Sequence, residues 1–174
     1  LNKINVFPVP DGDTGSNLAF TLGNVLTGAL NRKAHSTGEL LKRVSEHAID
    51  GARGNSGAIL AQFFTGISER IGTSQVTSLE QMNQAILHGA NSARQALSEP
   101  KEGTILSVIS AFANALQVNA GQFHFKQWFE VALLNAKSAL ANTPNQLPVL
   151  MKAGVVDAGA QGFVDLLDGV FQFI

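Results

Sequence analysis

The residues best suited to chemistry lie in one early stretch, Asn5-Val6-Phe7-Pro8-Val9-Pro10-Asp11-Gly12-Asp13-Thr14-Gly15-Ser16-Asn17. Two carboxylates at i and i+2, with a glycine between them, can converge on one side of a tight turn. Hard oxygen donors of this kind suit Mg²⁺, which commonly takes one or two carboxylates and completes its shell with substrate phosphates and water. Pro8 and Pro10 stiffen the approach and reduce the entropy lost in fixing the turn. Thr14, Ser16 and Asn17 add polar groups beside a helix start, able to hold phosphate oxygens. Taken alone, the same residues also read as an ordinary Asp11-Gly12 turn with Asp13 capping a helix. An EF-hand does not fit: with Asp11 as first ligand, Leu22 falls where a bidentate Glu should stand.

Three later loops share the pattern of small and polar residues ahead of a helix, where unpaired amides and the helix dipole favour anions. Asp50-Gly51-Ala52-Arg53-Gly54-Asn55-Ser56-Gly57 carries three glycines that permit close backbone approach to a ligand, with Ser56 in the first turn of the next helix. It lacks the Gly-Lys-Ser/Thr ending of a Walker A loop, and it reads equally as a linker with Asn55 as the N-cap. Glu102-Gly103-Thr104-Ile105-Leu106 repeats the glycine-then-hydroxyl start. In Gly154-Val155-Val156-Asp157-Ala158-Gly159-Ala160-Gln161-Gly162, Asp157 either caps the last helix or bonds a ribose or a base edge. Neither of these last two loops carries a claim by itself. The four histidines, His35, His47, His88 and His124, show no metal-ligand spacing and read as surface or satisfied positions. Trp128 reads as core.

The elements that must position these loops are helical, because apolar residues recur at helical spacing nearly throughout. The spacing predicts helices over 16–30, from Ser36 through Ala48, from Asn55 to near Gly72, and from Ser78 to near Leu97. Further helices are predicted over 104–118 (closed by Gly121), 124–141 and 147–153, and from Ala158 to the end. Ser36-Thr37-Gly38-Glu39 and Ser78-Leu79-Glu80-Gln81 both have the form of a capping box, and Asn142-Thr143-Pro144-Asn145 reads as a turn. Leu40, Leu41, Val44, Trp128, Val131 and Leu134 are among the expected core residues. The expected fold is all-α, about eight antiparallel helices in a closed bundle, with residues 1–174 as one domain. Both ends stop within a helical pattern, so a fragment of a longer multidomain chain is expected.

Composition narrows the function classes. The 174 residues are 45% hydrophobic and 14% charged, with a net charge of −1. So little charge points to a large buried fraction or to a surface that meets another protein, a homodimer included. The balance carries no nucleic-acid footprint and no polybasic membrane patch. The absence of cysteine removes disulfides, thiol nucleophiles and thiolate zinc sites, and fits a reducing, cytoplasmic setting. No apolar run reaches the length of a membrane span.

The stretch from Asn5 to Asn17 closely resembles the signature of the nucleotide-binding domain of bacterial fatty-acid kinases, which is similar to the nucleotide-binding subunit of dihydroxyacetone kinases. Gly51–Gly57, Glu102–Leu106 and Gly154–Gly159 resemble that family's later motifs in the same order. The resemblance implies a closed eight-helix barrel binding ATP or ADP and two Mg²⁺ ions at one end. It implies Asp11 and Asp13 as metal-binding, catalytic carboxylates, with Asn5 near the position of a third Asp in the dihydroxyacetone enzymes. Thr14, Gly15, Ser16 and Asn17 would lie around the phosphates, and Asn55, Ser56 and Gly57 would form a second phosphate loop. Thr104 and Ile105 would flank the nucleoside, and Asp157, Ala158 and Gly159 would close over it. The implied reaction is phosphoryl transfer to a fatty-acid carboxylate presented by a separate fatty-acid-binding carrier protein, through parts of the parent chain beyond this one. Two alternatives remain open: a dihydroxyacetone-type kinase subunit with tightly held ADP, and a non-catalytic nucleotide-sensing domain.

Overall fold

The computed structural model describes residues 1–118 and 124–174; the expected stop at Gly121 lies outside them. Among the described residues there are eight α-helices, one short 3₁₀ turn at Asn2–Ile4, and no strand. The helices are α1 (Thr14–Ala29), α2 (Thr37–Asp50), α3 (Gly54–Ile71), α4 (Leu79–Gln95), α5 (Ile105–Val118), α6 (Phe125–Gln146), α7 (Pro148–Ala153) and α8 (Ala158–Phe173). The chain divides into two compact units, Leu1–Ser16 with Glu99–Ile174, and Asn17–Ser98. No helix of the described residues is long and apolar enough to cross a membrane.

In the first unit, α5, α6 and α8 pack on one another and α7 packs on α6. Helical spacing puts Leu106, Ile109, Phe112 and Leu116 of α5 into the core, where Trp128 and Leu133 of α6 and Phe163 of α8 are also buried. Phe112 lies edge-on to Phe129 and Phe163, with centroids 5.4 and 6.1 Å away, the geometry that aromatic quadrupoles prefer. Trp128 is buried as expected, and its indole N–H donates to the Leu116 carbonyl at 3.0 Å. Of the other core expectations for α6, Val131 is half-buried and Leu134 is 60% exposed, while Leu133 takes the interior position. Adjacent leucines point about 100° apart on a helix, and here the buried face includes Leu133 and leaves Leu134 outside.

The turn expected at Asn142–Asn145 does not form. Helix α6 runs through it with Pro144 inside. Proline has no N–H for the carbonyl four residues back, here Leu140. The buried Thr143 hydroxyl donates to that carbonyl instead, at 2.8 Å, so the helix continues without an orphaned acceptor.

In the second unit, α3 packs against α2 and α4, burying Ile59, Leu60, Phe63, Ile67, Ile86 and Ala90. The Ser78 capping box forms completely: the Ser78 hydroxyl accepts from Gln81 N–H, and the Gln81 side chain accepts from Ser78 N–H. At α2 only half the box forms. Ser36 accepts from Glu39 N–H, but the Glu39 carboxylate accepts from the His35 amide and pairs with Arg43. These partners, the His35 amide first, hold the Glu39 carboxyl below its ordinary range. The buried residues of α2 are Gly38, Arg43, Ser45 and Ala48. Leu40 is exposed, and Leu41 and Val44 are half-buried.

Candidate functional site

In the first unit the chain leading to α1 is folded back by two asparagines. The Asn5 side chain is buried, and its Oδ1 accepts from both the N–H (2.9 Å) and the hydroxyl (2.5 Å) of Thr14, while its Nδ2 donates to the Val9 carbonyl at 2.9 Å. Asn2 Oδ1 accepts from the amides of Gly15 (2.6 Å) and Ser16 (3.2 Å), and its Nδ2 donates to the Ser16 hydroxyl. The first amides of α1 are therefore capped by residues far upstream in sequence, and Asp13 does not cap them.

That arrangement leaves the two carboxylates free. Asp11 and Asp13 are exposed and form no hydrogen bond or ion pair among the described residues. Gly12 between them sits at φ +67°, a conformation that glycine adopts without the steric cost of a Cβ. Two unpaired carboxylates on a glycine turn suit a hard divalent cation that takes its remaining ligands from phosphate and water. No cluster of three or more His, Cys, Asp or Glu side chains is present among the described residues, so the protein's charged donors to such an ion would be these two. Asn5 fits a ligand role poorly, because its carbonyl oxygen already accepts two hydrogen bonds.

The third and fourth loops are joined through Asp157. Its carboxylate accepts from the Ala160 amide at 2.8 Å, capping α8, and the amides of Ile105, at the start of α5, and Gly159 favour its charged form. Burial pushes its carboxyl up from 3.8 to about 6 against the opposing pull of those three amides. The capping alternative for Asp157 is thus the one the geometry realises. Thr104 donates to the Lys101 carbonyl and its oxygen receives the Leu106 amide. Thr104, Ile105, Asp157, Ala158 and Gly159 are all buried.

In the second unit the glycines of the second loop serve close packing on α1. A Cβ at Gly54 would lie 2.6 Å from Asn17 Nδ2, one at Gly51 2.5 Å from Asn24, and one at Gly57 2.6 Å from Thr21 Oγ1. Thr21 is fully buried; its hydroxyl faces the Asn17 and Gly51 carbonyls and accepts from Arg53 N–H at 3.2 Å. The N-cap of α3 is Arg53, without a side-chain cap, rather than Asn55. The Gly54, Asn55 and Ser56 amides accordingly have no acceptor among the described residues. Asn55 is exposed, Ser56 half-buried, Gly57 buried, and the Arg53 guanidinium lies 4.7 Å above the Phe20 ring.

Of the residues singled out from sequence, Asn5 is joined to Thr14, Asp157 to Ile105 and Gly159, and Asn17 lies against Gly54. Asp11 and Asp13 touch none of them by hydrogen bond. The amides at the starts of α1, α5 and α8, expected to be open to anions, are largely satisfied by side chains; those of α3 are open. Asn2, Thr21 and Thr143 were not singled out. Thr143 carried a signal, a hydroxyl directly before a proline in a helical pattern; Asn2 carried none.

A family model described as the DAK2 domain matches residues 8–172. The chain belongs to the DAK2 domain family. This family is related to dihydroxyacetone kinases and is associated with kinase function. The chain is 38% identical over 173 residues to uncharacterized proteins of Staphylococcus haemolyticus and Staphylococcus saprophyticus, covering 99% of this chain and 31% of each relative. An uncharacterized protein of Staphylococcus aureus strain USA300 is 36% identical over 173 residues, covering 99% of this chain and 32% of the relative. The DAK2-family chain thus spans about a third of the length of the curated relatives it matches.

Proposed function

We propose that this DAK2-family chain is the ATP- and Mg²⁺-binding domain of a cytoplasmic kinase that phosphorylates a fatty acid held by a separate carrier protein. The observation that carries the nucleotide part is the pair Asp11 and Asp13, exposed and unpaired while the amides beside them are capped. The acyl substrate is supported by the likeness of the Asn5–Asn17 stretch to fatty-acid kinases, in particular its Phe7-Pro8-Val9-Pro10 approach. Asp11 and Asp13 would hold Mg²⁺, which supplies charge neutralisation along the phosphate chain.

The other residues bind and orient, which is most of what phosphoryl transfer asks of a protein. Asn5 and Asn2 fix the turn that presents the two carboxylates. Asn55 and Ser56, at the uncapped start of α3, are proposed phosphate-binding groups, with Arg53 adding positive charge nearby. Thr104, Ile105, Asp157, Ala158 and Gly159 form the buried frame behind the nucleoside side of the site. In the transfer a carboxylate oxygen of the fatty acid bonds to the γ-phosphorus as the bond to the ADP oxygen breaks, giving acyl-phosphate and ADP. The acceptor is already ionised near neutral pH, so no residue has to remove a proton.

The test uses the full-length protein with Mg²⁺, ATP and a fatty-acid-loaded binding protein. Carrier-dependent ADP release, with product trapped by hydroxylamine as a hydroxamate, is expected. The match to the DAK2 family favours one further reading, a dihydroxyacetone-type subunit. ADP that survives purification, together with transfer to dihydroxyacetone and none to the acyl chain, would establish that reading instead.

A further inference from the structure

The C-terminal turn of α6 meets both of the buried loops that frame the proposed site. The Thr143 hydroxyl, fully buried, donates to the Leu140 carbonyl and accepts the Asp157 amide at 3.1 Å. Asp157 in turn takes the Ala160 amide at the start of α8, and the amides of Ile105, at the start of α5, and Gly159 bear on its carboxylate. The same turn also bounds the third loop. Gly103, at φ +78°, sits where a Cβ would be only 3.0 Å from Gln146 Cβ, Leu147 Cβ and the Thr143 carbonyl.

Pro144 makes this possible. In an ordinary helix the N–H of residue 144 would occupy the Leu140 carbonyl. With proline there, that carbonyl takes the Thr143 proton, which fixes the hydroxyl rotor so that its lone pairs face Asp157 N–H. One hydroxyl therefore satisfies a gap in α6 and sets the height of the Asp157 backbone. The structure assigns Thr143 a role as a positioning residue: its hydroxyl, with Pro144, sets Asp157 and hence the starts of α5 and α8 for nucleotide binding. This rests on the proposal that the chain binds a magnesium nucleotide.

The test separates helix repair from positioning. Thr143→Val removes the hydroxyl at nearly constant shape and strands both the Leu140 carbonyl and the Asp157 amide. Adding Pro144→Ala restores an N–H for Leu140 and leaves only Asp157 N–H without its partner. ATP affinity in the presence of Mg²⁺ is measured by calorimetry on the full-length protein, alongside its thermal midpoint. The double variant should regain much of the midpoint lost by Thr143→Val and still bind ATP about tenfold more weakly, the loss of roughly one well-placed hydrogen bond. Thr143→Ser, which keeps the hydroxyl, should bind like the native protein. Native affinity in the double variant, or loss of affinity in Thr143→Ser equal to that of Thr143→Val, overturns the positioning role while leaving the nucleotide site intact. No ATP binding by the native protein would instead overturn the proposed function, and this inference with it.

Discussion

Replacing Asp157 with Asn should change how stability depends on pH, by an amount set by the burial of one carboxyl. Burial raises its pKa from 3.8 to about 6, with the Ala160, Ile105 and Gly159 amides pulling the other way. Between those two values the folded chain holds a proton that the unfolded chain has released. Stability therefore falls as pH rises through this window, and the loss is complete above the folded value. At about 1.36 kcal/mol per pH unit the loss between pH 4 and pH 7 is about 2.4 kcal/mol, because part of the titration lies below pH 4. Asp157→Asn has no such titration. Whatever its absolute stability, the variant should gain about 2.4 kcal/mol relative to the native chain from pH 4 to pH 7. Urea unfolding followed by far-UV circular dichroism at each pH gives the difference, in which titration of the other carboxylates cancels. Parallel pH profiles for the two chains would refute the raised pKa. A relative loss by the variant would show that the three amides outweigh burial.

Two further substitutions probe the loops around α1. Gly57→Ala places a methyl 2.6 Å from the buried Thr21 hydroxyl and should destabilise by about 1–3 kcal/mol, read as a lower urea midpoint at unchanged slope. Asn2→Ala uncaps the Gly15 and Ser16 amides and should cost about 1 kcal/mol in the same assay; no change would mean that those amides do not depend on Asn2.

The helices were legible in the sequence wherever local signals agreed. Ser78 and Gln81 announce α4 because the whole capping box lies within four residues, and Gly72 ends α3 at φ +58°, where glycine is at ease. Pro144 misled because its cost is met by a neighbouring hydroxyl, a contact invisible to propensity. Glu39 misled because the His35 amide and Arg43 competed for its carboxylate. In the candidate site, the residue types of Asp11-Gly12-Asp13 pointed to a cation, but what leaves them free was not legible. Asn2 and Asn5 cap α1 from 13 and nine residues upstream, a distance at which no local pattern operates. The glycines of the second loop were read as room for a ligand, whereas the space beside them is filled by Asn17, Thr21 and Asn24.

Titrating ATP into the chain with and without Mg²⁺, and repeating it for Asp11→Asn and Asp13→Asn, tests the central claim most directly. The account predicts magnesium-dependent binding by the native chain, and its loss in both variants at unchanged helix content. Unimpaired binding in the two variants would contradict it.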